Sequence, residues 1–358
     1  MKSAKYLAMP LFGLLAAPTL FAAPIENIDF NGYLSFEYEQ HINGDAGGDK
    51  HGSFDLDLFD LVLNIDLSNS LRVATDITWE HGTATENELG NAAIEYAFAE
   101  YRINNLLQLR AGKMFTNFGI YNEIHTAKPA ILTVKEPLST NKNNKLGSEF
   151  RFYPRWNTGI ALLGIKETPE YGLDYIIQLS NGEDTESNPY EEDTNNTKAI
   201  NGRLRVHLSD TIRAGLSFYH DKLNHYDLSG NVDGSTRITS FGSQLQYETA
   251  DGLGIEAEVV SGKVKTYQGV NIDRYALTTM FYFQLSPGIT PYYRYEFLDP
   301  NRDISDDNGS IHILGVNLPV DNNMHLKIEI DKFNTDTANS EYNGADFVEL
   351  KSSISIGF

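Results

Sequence analysis

The 358-residue chain has no cysteine. That excludes disulfide staples and thiolate metal sites. It is short of base, with 28 Lys and Arg against 49 Asp and Glu and a net charge of −21. Such a balance argues against a nucleic-acid partner, whose affinity comes from basic contacts to phosphate. Beyond the first residues it has no run near ~20 consecutive apolar residues, so membrane helices are excluded. No H-E-x-x-H spacing is found among the nine histidines, and no G-x-S-x-G elbow is present. No proline-rich or low-complexity linker divides the chain. No cofactor and no metal is expected.

What is present is aromatic and alternating. The chain carries 20 Tyr and 19 Phe at a hydrophobic content of only 41%. It ends "ELKSSISIGF", where Val348, Leu350, Ile354, Ile356 and Phe358 share one parity and Glu349, Lys351, Ser353 and Ser355 the other. Period two is the side-chain period of a strand. The same pattern recurs at Leu71, Val73, Thr75, Ile77 and Trp79, at Ile200, Leu204, Val206 and Leu208, and at Tyr275, Leu277, Phe281 and Phe283. Each segment has about the ~9–11 residues a tilted membrane strand needs. Short connections such as 68–70, 104–105 and 321–323 alternate with long polar ones such as 41–52, 180–197 and 336–346. A soluble sandwich shares the alternation but has no reason to keep that order of turns and loops, whereas an outer-membrane barrel does.

The fold expected is an all-β transmembrane antiparallel barrel. Seventeen strand-like segments are found. Both ends of a bacterial barrel lie on the periplasmic side, so the number is even. The segment 146–153 is then surplus, read as part of a long inward-folded loop or an extension of the next strand. Sixteen strands are expected, with eighteen the runner-up. Residues 1–22, with Lys2 and Lys5 before an apolar stretch to Phe21, form a secretory signal, a membrane anchor being the other reading. Residues 23–358 form the barrel, of net charge −23 once the signal is removed.

One connection departs from the rest in charge. Residues 113–145 hold five lysines and two acids, +3 in an acidic chain, and Arg151 and Arg155 follow. Folded inward, this loop would narrow the lumen and concentrate anions there. On the other reading its lysines are solvated outside or bind lipopolysaccharide phosphates. The candidate constriction residues are Arg110, Lys113, Lys128, Lys135, Arg151 and Arg155. Arg110 shares a face with Gln108 and points inward, Gly112 can break the strand so that Lys113 swings in, and Lys128 is held extended by Pro129. Parity places Arg72, Arg102, Arg203, Arg205, Arg213, Arg274 and Arg294 on the lumen wall as well. It also places ten acids there, among them Asp60, Asp76, Glu100, Glu258, Glu296, Glu329 and Asp331. A charge on the lipid face costs ~2–4 kcal/mol at mid-depth, so inward charges are expected in any case.

The stretch "LRAGKMFTNFGIYNE" resembles the R-x-G-K/Q-x-x-x-x-F-G signature of the phosphate-selective porin O and P family of Gram-negative outer membranes. "RWNTGIALLG" and "DYIIQLSNG" resemble that family's next strand pair, and "SISIGF" the assembly signal of outer-membrane barrels in general. The resemblance implies a sixteen-stranded homotrimeric diffusion channel with an inward third loop. It implies anion selectivity carried by lumenal arginines and constriction lysines. The family's compact lysine cluster has no located counterpart here, so the expectation is a general or mildly anion-selective porin for phosphate-type or dicarboxylate solutes. The implied partners are outer-membrane lipid and lipopolysaccharide, and the assembly machinery that reads the strand ending at Phe358. A structural or adhesive barrel and a barrel hydrolase are the other classes carried forward. So is calcium on the six acids of 180–197.

Overall fold

The computed structural model describes residues 27–44, 50–80, 92–140, 151–168, 170–182, 193, 195, 197–226, 229–285, 288–336 and 344–358. The expected signal at 1–22, Lys142, Lys145 and five of the six acids of the 180–197 loop lie outside them.

Sixteen strands form one closed sheet. They are β1 (Ile28–Gly44), β2 (Ser53–Asp66), β3 (Leu71–Glu80), β4 (Ala92–Asn104), β5 (Leu107–Phe115), β6 (Trp156–Glu167), β7 (Gly172–Ser180) and β8 (Ala199–His207). They continue as β9 (Ile212–Tyr226), β10 (Val232–Glu248), β11 (Leu253–Lys265), β12 (Asn271–Phe283), β13 (Thr290–Asp299), β14 (Gly309–Asp321), β15 (Met324–Thr335) and β16 (Phe347–Gly357). Each pairs antiparallel with the next, and β16 pairs with β1. The expected count of sixteen is the count observed. Of the surplus segment, residues 151–153 belong to no strand, and Phe152 and Tyr153 are buried inside the barrel.

Closure is completed by Phe358. Its N–H donates to the Gly32 carbonyl at 3.0 Å, and the Gly32 N–H donates to its carbonyl at 2.8 Å. A Cβ on residue 32 would lie 2.4 Å from the Phe358 ring and 2.6 Å from the Asp60 carbonyl oxygen. Glycine is therefore what lets the ring lie across the seam.

Two bulges redirect acids. In the β1–β2 ladder, Ser35 pairs with Leu58 and Phe36 with Leu56, which leaves Asp57 as the extra residue. In the β3–β4 ladder, Asp76 pairs with Tyr96 and Ile77 with Ile94, which leaves Glu95. A bulge flips parity beyond itself. Both carboxylates are buried on the inner side.

The lumen wall is not uniformly polar. Toward the loop end, inward positions of β9–β16 are apolar, including Leu223, Ile238, Val264, Leu298, Ile311 and Phe333. They pack against Phe118, Leu138, Phe152 and Tyr153 of the connection 116–155. Gly242 and Gly262 form the sockets, since a Cβ there would meet the Phe118 ring at 2.6 Å and the Phe152 ring at 2.8 Å. A loop that must stay inside a barrel needs apolar area to dock on, and this patch supplies it.

Candidate pore constriction

The described parts of the connection, 116–140 and 151–155, lie inside the barrel and touch the wall on most sides. Its backbone is held by wall side chains. Carboxylates of Glu258, Glu329 and Glu296 accept from the N–H groups of Ile120 at 2.7 Å, Val134 at 3.1 Å and Leu138 at 2.7 Å. Lys327 Nζ donates to the carbonyls of Lys128 at 2.7 Å and Thr133 at 3.0 Å. Arg294 donates to the Lys135 carbonyl at 2.8 Å, and Arg274 to the Arg151 carbonyl at 2.7 Å. A 3-10 turn, Lys128–Ala130, sits at the far side near β1 and β16.

Three of the expected constriction cations come together there. Lys128 Nζ stands 3.3 Å from Asp57 Oδ2 and 3.5 Å from Glu136 Oε2. Lys135 Nζ lies 2.9 Å from Asp57 Oδ1 and pairs with Glu37. Arg155 pairs with Glu136. Burial alone would lower the Lys128 pKa, but Asp57 and Glu136 hold it above its ordinary value. Burial alone would raise Glu136, but Lys128 and Arg155 hold it well below the usual carboxylate range. Both groups therefore keep their charges, and each charge is answered by an opposite one.

The other three are elsewhere. Arg110 is on the inner wall, as parity requires, but nearer the turn end, where it shares Glu100 with Arg72 at 2.7 and 2.8 Å. Its guanidinium lies 4.1 Å from the centroid of the Phe98 ring. Lys113 does not swing in. Gly112 has φ of 138°, yet β5 runs on to Phe115, and Lys113 stays in the ladder between Ala97 and Thr158. Its ammonium lies 5.7 Å from the Trp156 ring centroid. Arg151 meets the wall through its backbone carbonyl, which accepts from Arg274.

The wall arginines divide by task. Arg274 and Arg294 are buried and hold the loop. Arg203 pairs with Glu123 of the loop, and Arg205 with Asp174 at 2.9 Å. Arg203 and Arg205 offset the burial of Glu123 and lower its pKa. Arg102 and Arg213 are exposed beside the turns. The acids that matter most at the loop are Glu37, Asp57 and Glu95. Parity counted from Asp60 and Glu100 puts Asp57 and Glu95 on the lipid side. The one available signal was their cost there. A carboxylate on the outer face of a membrane strand points to a bulge.

Between the loop and the arc of wall formed by β1–β3 and β13–β16 lies a cavity of about 500 Å³ at the loop end. Among the described residues no group of three or more His, Asp or Glu could hold a metal ion.

No family model matches the chain, and no curated protein matches it by sequence. Solved structures match it by shape. The anion-selective porin from Comamonas acidovorans superposes with a TM-score of 0.63 at 12% identity, over 93% of this chain and 99% of that one. The barrel has the porin fold. The outer membrane channel DcaP of Acinetobacter baumannii gives 0.62 at 11% identity over 93% and 97%. Salmonella typhi OmpF gives 0.61 at 13% identity over 92% and 97%. These porin-fold likenesses do not carry the resemblance to the phosphate-selective O and P family, which rests on the motifs alone.

Proposed function

We propose that the chain is a porin of the bacterial outer membrane, made with an export signal at 1–22 and assembled as a homotrimer. It forms a diffusion channel for small hydrophilic solutes. The observation that supports this best is the segment 116–140 laid across a closed sixteen-stranded barrel and fixed to its wall by charged side chains. A structural or adhesive barrel has no need of a lumen narrowed in this way. The trimer is supported by the fold's likeness to OmpT of Vibrio cholerae, described in a trimer form.

The charge preference follows from the compensation. Lys128, Lys135 and Arg155 each face carboxylates, so the loop offers no bare cationic ring. The passage conducts ions of both signs, with at most a small bias. A second reading, a channel for small anions of the phosphate or dicarboxylate kind, draws support from the motif resemblance and from a neighbour described as anion-selective. Its best seat is the wall of Arg110, Arg203 and Arg205 around Glu123. The test is the reversal potential of the purified protein in a planar bilayer under a potassium chloride gradient. A value near zero or of cation sign supports the first reading. A clear anion sign that is lost in R110Q/R205Q supports the second. Absence of any channel current from the folded protein would overturn both.

A further inference from the structure

The cavity at the loop end borders the compensated cluster of Lys128, Lys135 and Arg155, and neither charge reading assigns it a ligand. Its walls carry eight carboxylates and five cations, a net of −3. The acids are concentrated on one arc, where Glu37, Glu39, Asp55, Asp57 and Glu80 project from β1–β3. The next arc adds an apolar strip, Ile311 and Ile313 of β14, Phe333 of β15 and Leu138 of the loop, beside the charged Arg294, Glu296, Asp331 and Lys351. Glu37 is 1% exposed, and its Oε1 accepts no hydrogen bond among the described residues. We propose that this cavity is a subsite for organic cations that carry an apolar body. The inference rests on the channel reading.

Three features select that class. A volume near 500 Å³ falls within the range of about 300–1,000 Å³ typical of small-molecule sites. The excess carboxylate favours a cation, and Glu37 Oε1 offers a buried acceptor to an ammonium. The apolar strip rewards a hydrocarbon body, which a hydrated metal ion lacks. The approach acts in the same direction. The other segments that join strands at this end (45–52, 81–91, 181–198, 227–231, 266–270, 300–308 and 336–346) carry seventeen acids and three Lys or Arg. A mouth of one sign raises the local concentration of the opposite ion.

The experiment is block of potassium chloride current through the reconstituted full-length protein. The probes are benzyltrimethylammonium, tetramethylammonium and benzenesulfonate. The expected half-blocking concentration of benzyltrimethylammonium is about tenfold below that of either other probe, one contact's worth of discrimination. E37Q should remove most of that advantage. Because Glu37 also pairs with Lys135, E80Q at the rim and I313S on the apolar strip are measured beside it, and each should raise the benzyltrimethylammonium value severalfold. Equal block by the two cations, block by benzenesulfonate at equal or lower concentration, or no change in E80Q and I313S would overturn the proposal. Channels that conduct but show no such selectivity leave the porin reading standing. Folded protein without current removes the porin reading instead.

Discussion

At the scale of single residues, the inward loop holds a buried histidine whose titration should couple its docking to pH. His125 is buried, with Nδ1 2.6 Å from the Asn122 carbonyl and Nε2 3.5 Å from Glu95. Phe115 and Trp156 pack edge-on against its ring. Burial, helped by the charge of Arg155, lowers its pKa from the ordinary 6.5. The docked loop thus holds a neutral imidazole, while a loop released to water would protonate as pH falls through 6.5. The undocked form then binds more protons, so docking weakens as pH falls below that value, down to the docked pKa. Glu136 does not share this window, because its pKa lies well below 4.5 and its ion pairs survive until then. Between about pH 7 and about pH 5, single-channel current should become noisier, and H125Q should remove most of the change. Noise that rises equally in H125Q would place the sensor elsewhere. A second residue-scale expectation concerns the seam. G32V drives a side chain into the Phe358 ring and the Asp60 carbonyl. It should lower the amount of assembled barrel more than G230N, at a loop position where a Cβ meets nothing within 4 Å and asparagine tolerates the φ of 80°. Equal assembly of the two would show that the Phe358 ring can move aside without cost.

At the scale of elements, the loop is held by wall side chains that bind its backbone. The wall therefore constrains the loop's path more than its side chains. Hydrogen bonds to charged groups contribute about 1.5–3 kcal/mol each. K327M removes two of them, to Lys128 and Thr133, with an apolar chain of similar length. The expected outcome is a barrel that still assembles, with faster proteolysis within 116–140 and more open-channel noise. Unchanged protection would mean that the apolar packing of Phe118 and Leu138 is sufficient. This element also marks where sequence reading stops. Strands β3, β8, β12 and β16 are legible because one face is apolar and the other polar, and parity then assigns every side chain. Asp57 and Glu95 escape because a single extra residue reverses that parity, and its one local sign is the cost of a carboxylate left on the outer face. The apolar inner arc of β9–β16 escapes because the alternation there is inverted: Ile238, Val264 and Phe333 are buried inside while their neighbours Arg237, Lys263 and Lys332 stand on the other face, so the rule of apolar outside and polar inside misassigns them. That the loop turns inward is legible from its anomalous charge. That its lysines are neutralised is not, because Glu37 and Asp57 lie more than seventy residues away in the chain. The same distance explains Lys113. Whether Gly112 breaks a strand depends on the neighbours β4 and β6, which hold the ladder through it.

At the scale of the whole molecule, closure is the property that sets stability. All sixteen strands are paired on both sides, so no edge is left from which the sheet can open. In a bilayer an opened edge would bare backbone N–H and C=O groups to hydrocarbon, at several kcal/mol for each unsatisfied group. Partial opening is therefore suppressed, and the barrel should unfold as a unit, with a high kinetic barrier. The outward faces carry the apolar side chains this setting requires, among them Leu216, Phe241 and Leu314, all more than half exposed in the isolated chain. In dodecyl sulfate without heating, the closed sheet should survive. The protein should then migrate differently before and after boiling, and its circular dichroism should be that of strand until the same temperature. Bulge and loop variants such as K327M, which leave the seam intact, should keep this heat-dependent shift even where their currents change. Replacing Phe358 with alanine removes a ring that stacks over Phe59 and Gly32 but leaves both seam hydrogen bonds possible. It should therefore slow assembly more than it lowers the transition temperature of barrels already formed. A transition temperature that falls as steeply as the yield would show that the ring holds the finished seam shut, and that closure depends on side-chain packing as much as on the ladder.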